Sequence, residues 1–218
     1  MTVTRIIVIA KAPLAGFAKT RLIPVLGAEA AAALARRMLL HALQQASAAA
    51  VGPVELCVTP APSDPAWQQW LSLDGIEWTA QPDGDLGARM AAPAERAISE
   101  GERVLLIGTD CPQLDATRLR QAAAALEHVD VVLHPTVDGG YALLGLRRFD
   151  ASLFDRMPWS TAEVAASTVA RIRKLGWNLA VAETVRDIDE TADLPHLPAG
   201  WQVIPSATGA EPGTSASG

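Results

Sequence analysis

Hydrophobic positions in this chain alternate between short unbroken runs and longer stretches of helical periodicity. Ile6–Ala10 is a β-branched run of the kind that forms a buried parallel strand. "VELCVT", "IEWTAQ", "RVLLIG" (103–108), "VDVVLHP" and "NLAVAET" repeat that signature, and "GGYALLGL" predicts a strand returning antiparallel beside "VDVVLHP". After Gly27, "AEAAAALARRMLLHALQQASAAA" is rich in strong helix formers. Wound at about 100° per residue, it puts Leu34, Met38, Leu39, Ala42 and Ala46 on one side, with Arg36, Arg37, His41 and Gln44 opposite. The pattern also predicts a short tryptophan-bearing helix near Asp64–Leu71, a helix over Leu86–Glu100 bent at Pro93, and a helix around Ala162–Leu175. "DATRLRQAAAALE" reads as a further helix capped by Asp115.

Repeated βα units imply an α/β domain with a mostly parallel sheet and helices on both faces. No linker divides residues 1–204, and 218 residues suffice for one well-buried domain where two would be cramped. From Pro205 onward, "PSATGAEPGTSASG" loses all apolar periodicity and reads as a disordered tail over 205–218.

Composition narrows the function. Hydrophobic residues make up 50% of the chain and charged ones 19%, as in a globular protein. A net charge of −6 argues against a nucleic-acid binder, which needs a basic footprint. The first apolar run is cut short by Lys11, and no later one approaches the ~20 apolar residues of a membrane span. Cys57 and Cys111 lack metal-ligand spacing, and Cys57 sits in a strand-like run that suits a reduced, buried thiol. The expected location is the cytoplasm.

Against this acidic background Lys11, Lys19 and Arg21 form a local positive cluster, which suits a small anionic ligand. Their loop, "AKAPLAGFAKTRL", resembles a phosphate-binding loop but fails the pattern G-x-x-x-x-G-K-[ST], because Pro13 and Ala18 stand where glycines are required. Pro13 also removes a backbone donor. What remains is Gly16, a point of close approach, followed by Lys19 and Arg21 as a side-chain clamp for a diphosphate. The bland alternative is a surface turn with solvated charges. Its place at the end of a first strand, where open α/β sheets bind ligands, favours the clamp.

"LLIGTDCP" places Asp110 at the tip of a buried strand, where a carboxylate can hold Mg²⁺ or Mn²⁺. Asp115 already caps the following helix. Cys111 reads as packing, with nothing nearby to lower a thiol pKa. "RDIDETADL" carries Asp187, Asp189 and Asp193, either as further metal carboxylates or as caps of a short helix. In "PTVDGGYALLGL", Gly139 and Gly140 could aim Asp138 and Tyr141 at a ligand, or Asp138-Gly139 could simply make a turn. "QPDGDLGARM" offers a helix start that would meet a nucleotide or carry an ordinary N-cap. In "MPWSTAEV", Trp159 offers a stacking surface, while Ser160 and Thr161 read as caps.

Taken in order, "AKAPLAGFAKTRL", "QPDGDLGARM", "LLIGTDCPQL", "PTVDGGYALLGL", "PWSTAEV" and "RDIDETADL" resemble the bacterial GT-A-fold glycosyltransferase family associated with arsenosugar biosynthesis. That family is a distant relative of the molybdenum-cofactor and phospholactate guanylyltransferases. The resemblance extends to about Leu194 and implies a Rossmann-like nucleotide-diphospho-sugar transferase fold. It further implies nucleotide contacts at Lys11, Gly16, Lys19, Arg21, Asp85 and Arg89, and metal at Asp110 and Asp189, the latter favoured over Asp187. Asp138, Gly139, Gly140, Tyr141 and Trp159 would then face the acceptor or sugar. Two features depart from the family pattern. The metal motif is Thr109-Asp110-Cys111 where glycosyltransferases commonly have Asp-x-Asp, and the first loop lacks the G-G-x-x-x-R form of many nucleotidyltransferases.

The expected reaction is sugar transfer from a nucleoside-diphosphate sugar to a small acceptor. Lys19 and the metal would neutralise the departing diphosphate, and Asp138 would act as base. The same cations would serve a nucleotidyltransferase that releases pyrophosphate from an NTP, with Arg89 as an added phosphate contact. A non-enzymatic nucleotide-binding domain would bind its ligand whether or not Asp110 were present.

Overall fold

A computed structural model of the chain describes residues 2–70 and 73–201. Seven strands form one sheet: β1 (Thr4–Lys11), β2 (Val54–Thr59), β3 (Ile76–Ala80), β4 (Arg103–Ile107), β5 (Val131–Pro135), β6 (Tyr141–Leu146) and β7 (Leu179–Val181). Their order is β3-β2-β1-β4-β6-β5-β7. All neighbours pair parallel except β6, which lies antiparallel between β4 and β5. The α-helices are α1 (Ile23–Leu26), α2 (Ala28–Ala49), α3 (Leu86–Ser99), α4 (Ala116–Ala125) and α5 (Val164–Lys174).

Period-two alternation in the strands supplies both faces of the sheet. From β1, Ile6 and Val8 join Leu39, Leu43, Leu56, Leu105 and Leu119 in the core under α2 and α4. Ile7 points the other way, into a core with Met90, Ala94, Leu106, Leu144 and Ile172 under α3 and α5. A smaller cluster joins Leu22, Leu26, Leu34 and Met38 to Ile188, with Leu194 and Trp201 against it. That third cluster anchors the C-terminal segment beside the loop that follows β1.

At the N-terminal end of the strands, a fully buried Glu55 accepts from Arg96, at 2.6 Å, and from Thr79 Oγ1, at 2.7 Å. Arg5 bonds Glu102 and Glu77 and lies 3.4 Å from Glu55. Buried charges persist only when paired in this way.

Three expectations change in detail. The strand "NLAVAET" is paired as a strand only over Leu179–Val181; the Ala182 N–H still reaches Leu133 O, Glu183 O meets His134 Nδ1 at 3.1 Å, and a parallel bridge to Thr136 follows at Val185. The short tryptophan-bearing helix is a 3-10 turn over Pro65–Trp70, and Leu71 lies outside the described residues. Helix α3 runs through Pro93 to Ser99. The expected tail over 205–218 also lies outside the described residues.

Candidate active site

The C-terminal ends of β1 and β4, the start of β6 and the N-terminal turn of α3 surround a cavity of about 740 Å³. Lys11, Lys19, Arg21, Arg89, Asp110, Asp138, Gly140, Tyr141, Trp159 and Asp189 all line it. The topology explains this convergence, since parallel strands present their C-terminal ends at one edge. The reversal of β6 then brings the Asp138–Tyr141 loop to the same edge.

The loop after β1 is not a strained copy of a Walker loop. Positive φ falls on Gly16 (78°) and Lys19 (50°), while Ala18 is buried. Lys19 holds a left-handed backbone, which is uncommon outside glycine, asparagine and aspartate. Its ammonium lies 2.6 Å from Asp110 Oδ1 and 3.6 Å from Asp189 Oδ1, and donates to Ile188 O. Arg21 Nη1 donates to Asp189 Oδ2 at 2.9 Å and lies 3.5 Å from Glu190 Oε1. The residues expected to hold phosphate and those expected to hold metal are therefore in contact with each other. The Ile188 N–H donates to Asp110 O at 2.8 Å, and this backbone bond sets the C-terminal carboxylates against the tip of β4.

Among the described residues, no group of three or more His, Cys, Asp or Glu side chains could hold a metal. Asp110 and Asp189 nevertheless converge on one cation, the Lys19 ammonium. Mg²⁺ is commonly held by one or two protein carboxylates, with phosphates and water completing the shell, so this donor pair fits such an ion.

Asp138 makes the turn that sequence reasoning allowed it. Its Oδ1 accepts from Thr136 Oγ1 at 2.5 Å and from Gly140 N at 3.0 Å. A Cβ at Gly139 would lie 2.2 Å from Ala162 O, so no larger residue fits that turn. Burial and the nearby Asp138 hold the Asp187 carboxyl above the ordinary carboxylate range. Burial also raises the Tyr141 phenol and pushes the Cys111 thiol well up, which leaves Cys111 a poor nucleophile.

Other expected residues take different positions. Asp85 is the N-cap of α3, accepting from Ala88 N at 2.9 Å, and neither it nor Gly16 nor Gly139 lines the cavity. A short carboxylate before a helix satisfies free backbone donors wherever the ligand lies. Thr161 Oγ1 donates to Pro158 O and accepts from Glu163 N, making a turn ahead of α5. Lys11 sits over the Phe17 ring at 6.0 Å.

Sequence reasoning missed Gln81. Its Nε2 donates to Ala10 O and Cys57 O, both at 2.9 Å, so the amide spans the ends of β1 and β2 with its flip fixed. A polar residue directly after a strand was the available signal. Arg89 Nε and Trp159 Nε1 are buried without a hydrogen-bond partner on two walls of the cavity. Buried donors of this kind mark places where an acceptor is expected.

A family profile described as "Uncharacterized protein conserved in bacteria (DUF2064)" matches residues 42–161. No curated protein matches the sequence. The crystal structure of a "putative nucleotide-diphospho-sugar transferase" from Desulfovibrio desulfuricans G20 is similar, with a TM-score of 0.81 and 31% identity over 87% of this chain and 84% of that one. CMP:2-keto-3-deoxy-manno-octonic acid synthetase complexed with CTP has a TM-score of 0.58 and 14% identity, covering 89% of this chain and 96% of its own. 4-Diphosphocytidyl-2C-methyl-D-erythritol synthase from Anaerococcus prevotii DSM 20548 has a TM-score of 0.59 and 10% identity, covering 88% and 94%. These last two likenesses are of fold alone. The fold is the Rossmann-like one of nucleotide-diphospho-sugar transferases and nucleotidyltransferases.

Proposed function

The chain belongs to the bacterial DUF2064 family, and we propose that it is a metal-dependent glycosyltransferase moving a sugar from a nucleoside-diphosphate sugar to a small acceptor. The observation that carries this reading is the meeting of Lys19, Arg21, Asp110 and Asp189 at the C-terminal edge of the sheet. Cations and metal-type carboxylates at one point suit a leaving diphosphate, whose developing charge is the main barrier to such a transfer. The likeness to the D. desulfuricans protein supports the same class.

In this reading Lys19 and Arg21 bind the two phosphates, and Asp110 and Asp189 would hold Mg²⁺ or Mn²⁺. When bound, that ion acts as a Lewis acid on the diphosphate oxygens. Asp138 keeps Oδ1 on its turn, and Oδ2 accepts the acceptor hydroxyl proton. The acceptor oxygen forms the new bond to the anomeric carbon, the old carbon–oxygen bond breaks, and the nucleoside diphosphate leaves. Trp159 and Tyr141 flank the sugar or acceptor.

One observation favours a second reading. The unpartnered Nε of Arg89 in the cavity wall suits a longer phosphate chain, as in nucleotidyl transfer from an NTP with release of pyrophosphate. Turnover against panels of NDP-sugars and NTPs, with nucleoside diphosphate and pyrophosphate followed separately, decides between the two. Nucleoside diphosphate released from an NDP-sugar by the wild type but not by Asp110→Ala is the expected result. Pyrophosphate from an NTP would overturn glycosyl transfer, and binding without either product would overturn both.

A further inference from the structure

Lys19 is the most constrained cation in the cavity. Its side chain is only 5% exposed and its backbone sits at φ 50°, ψ 41°. An ammonium has three donors, and here they face Asp110 Oδ1, Asp189 Oδ1 and Ile188 O. Arg21 covers the other oxygen of Asp189, so the cationic clamp and the carboxylate pair neutralise each other.

We propose that Lys19 and a divalent cation are alternative occupants of one position between Asp110 and Asp189, so that metal and nucleoside diphosphate bind as a pair and either alone binds weakly. This coupling rests on the metal site of the preceding section. A dication beside both carboxylates would stand within a few ångströms of the ammonium, and charges of one sign at that separation repel strongly in a partly buried site. The four-carbon stem of lysine lets the ammonium leave while the backbone stays. Once displaced it needs an anion, and a diphosphate in the same cavity supplies one.

The reverse step has the same difficulty. A diphosphate that draws Lys19 and Arg21 away leaves two carboxylates facing phosphate oxygens unless a cation takes their place. Each ligand therefore removes the obstacle to the other, and linkage requires the two effects to be equal. Direct metal–phosphate contact also favours joint binding, but it predicts no gain in metal affinity when the lysine is removed. The competition does.

The test is Mn²⁺ binding, followed by the paramagnetic signal of free Mn²⁺, to wild type, Lys19→Met and Asp110→Asn, each alone and with UDP or GDP. Without nucleotide, Lys19→Met is expected to bind Mn²⁺ on the order of tenfold tighter than wild type. The enhancement by diphosphate is expected to shrink in the same variant. Lys19→Gly suits the left-handed backbone and serves if Lys19→Met does not fold. Mn²⁺ binding that needs Asp110 but is no tighter without Lys19 would overturn the competition and leave the metal site standing. Absence of Mn²⁺ binding in every protein, with and without diphosphate, would overturn both.

Discussion

Gly87 and Trp159 are packed so closely that a Cβ on the glycine would lie 2.9 Å from the indole Nε1. The same Cβ would lie 2.7 Å from Phe154 O, a backbone atom that cannot rotate away. This contact sets the indole against the N-terminal turn of α3, where it walls the cavity. Gly87→Ala is expected to push the 154–159 segment outward, at a cost of about 1–3 kcal/mol. Thermal unfolding and the substrate KM should both worsen; a variant with unchanged melting and unchanged KM would show that the indole position is immaterial.

Glu55 lies at the opposite end of the sheet from the cavity and neutralises Arg96 and part of Arg5. Glu55→Gln keeps the shape and removes the charge, leaving Arg96 with only Glu100, at 3.8 Å, and Arg5 with Glu77 and Glu102. The expected loss is about 1–3 kcal/mol in a denaturant titration, with turnover per folded molecule unchanged. Wild-type stability in the variant would mean that Glu77 and Glu102 suffice.

His134 is buried on β5 with Nδ1 against Glu183 O, and its burial holds the imidazole pKa below the ordinary value. A depressed histidine contributes stability that is present above about pH 6.5 and lost as pH falls toward its native value, because the unfolded chain takes up the proton first. The wild type should therefore melt at lower temperature as pH drops from 7 to 5. His134→Gln should be less stable at pH 7 but show a shallower slope across that window. Parallel slopes would remove His134 as the cause.

Gln81 links two strand ends through both hydrogens of one amide. Gln81→Leu leaves the Ala10 and Cys57 carbonyls without that donor and should cost about 1–3 kcal/mol. Because Ala10 leads directly into the Lys11–Arg21 loop, nucleotide binding measured by calorimetry should weaken as well. Loss of stability with full affinity would confine Gln81 to the scaffold.

Much of this architecture was readable from local pattern. The stripe Leu34, Met38, Leu39, Ala42 and Ala46 is buried as its spacing predicts, Asp115 caps α4 through Arg118 N, and β6 returns antiparallel. Each depends on periodicity or on a residue's own backbone chemistry, which a sequence carries directly. The Lys19–Asp110 contact was out of reach for a different reason: both residues stood out in the sequence for their charge, but nothing local says that two charges so far apart in sequence will meet. Asp85 shows the opposite limit, since one carboxylate before a helix serves equally as ligand contact or as cap. The break in pairing after Val181, where Glu183 O meets His134 Nδ1 before a parallel bridge resumes at Val185, is a tertiary event that strand propensity does not register.

The segment bearing Asp187 and Asp189 closes on the loop after β1 through Ile188, which touches both Lys19 and Asp110. Closing a contact of such long sequence separation costs loop entropy, which the packing of Ile188 against Leu22, Leu34 and Met38 helps to offset. A chain still lacking residue 188 would leave Lys19 facing Asp110 without the Ile188 carbonyl or the Asp189 carboxylate. The surroundings of Lys19 are thereby complete only when segments 169 residues apart have met.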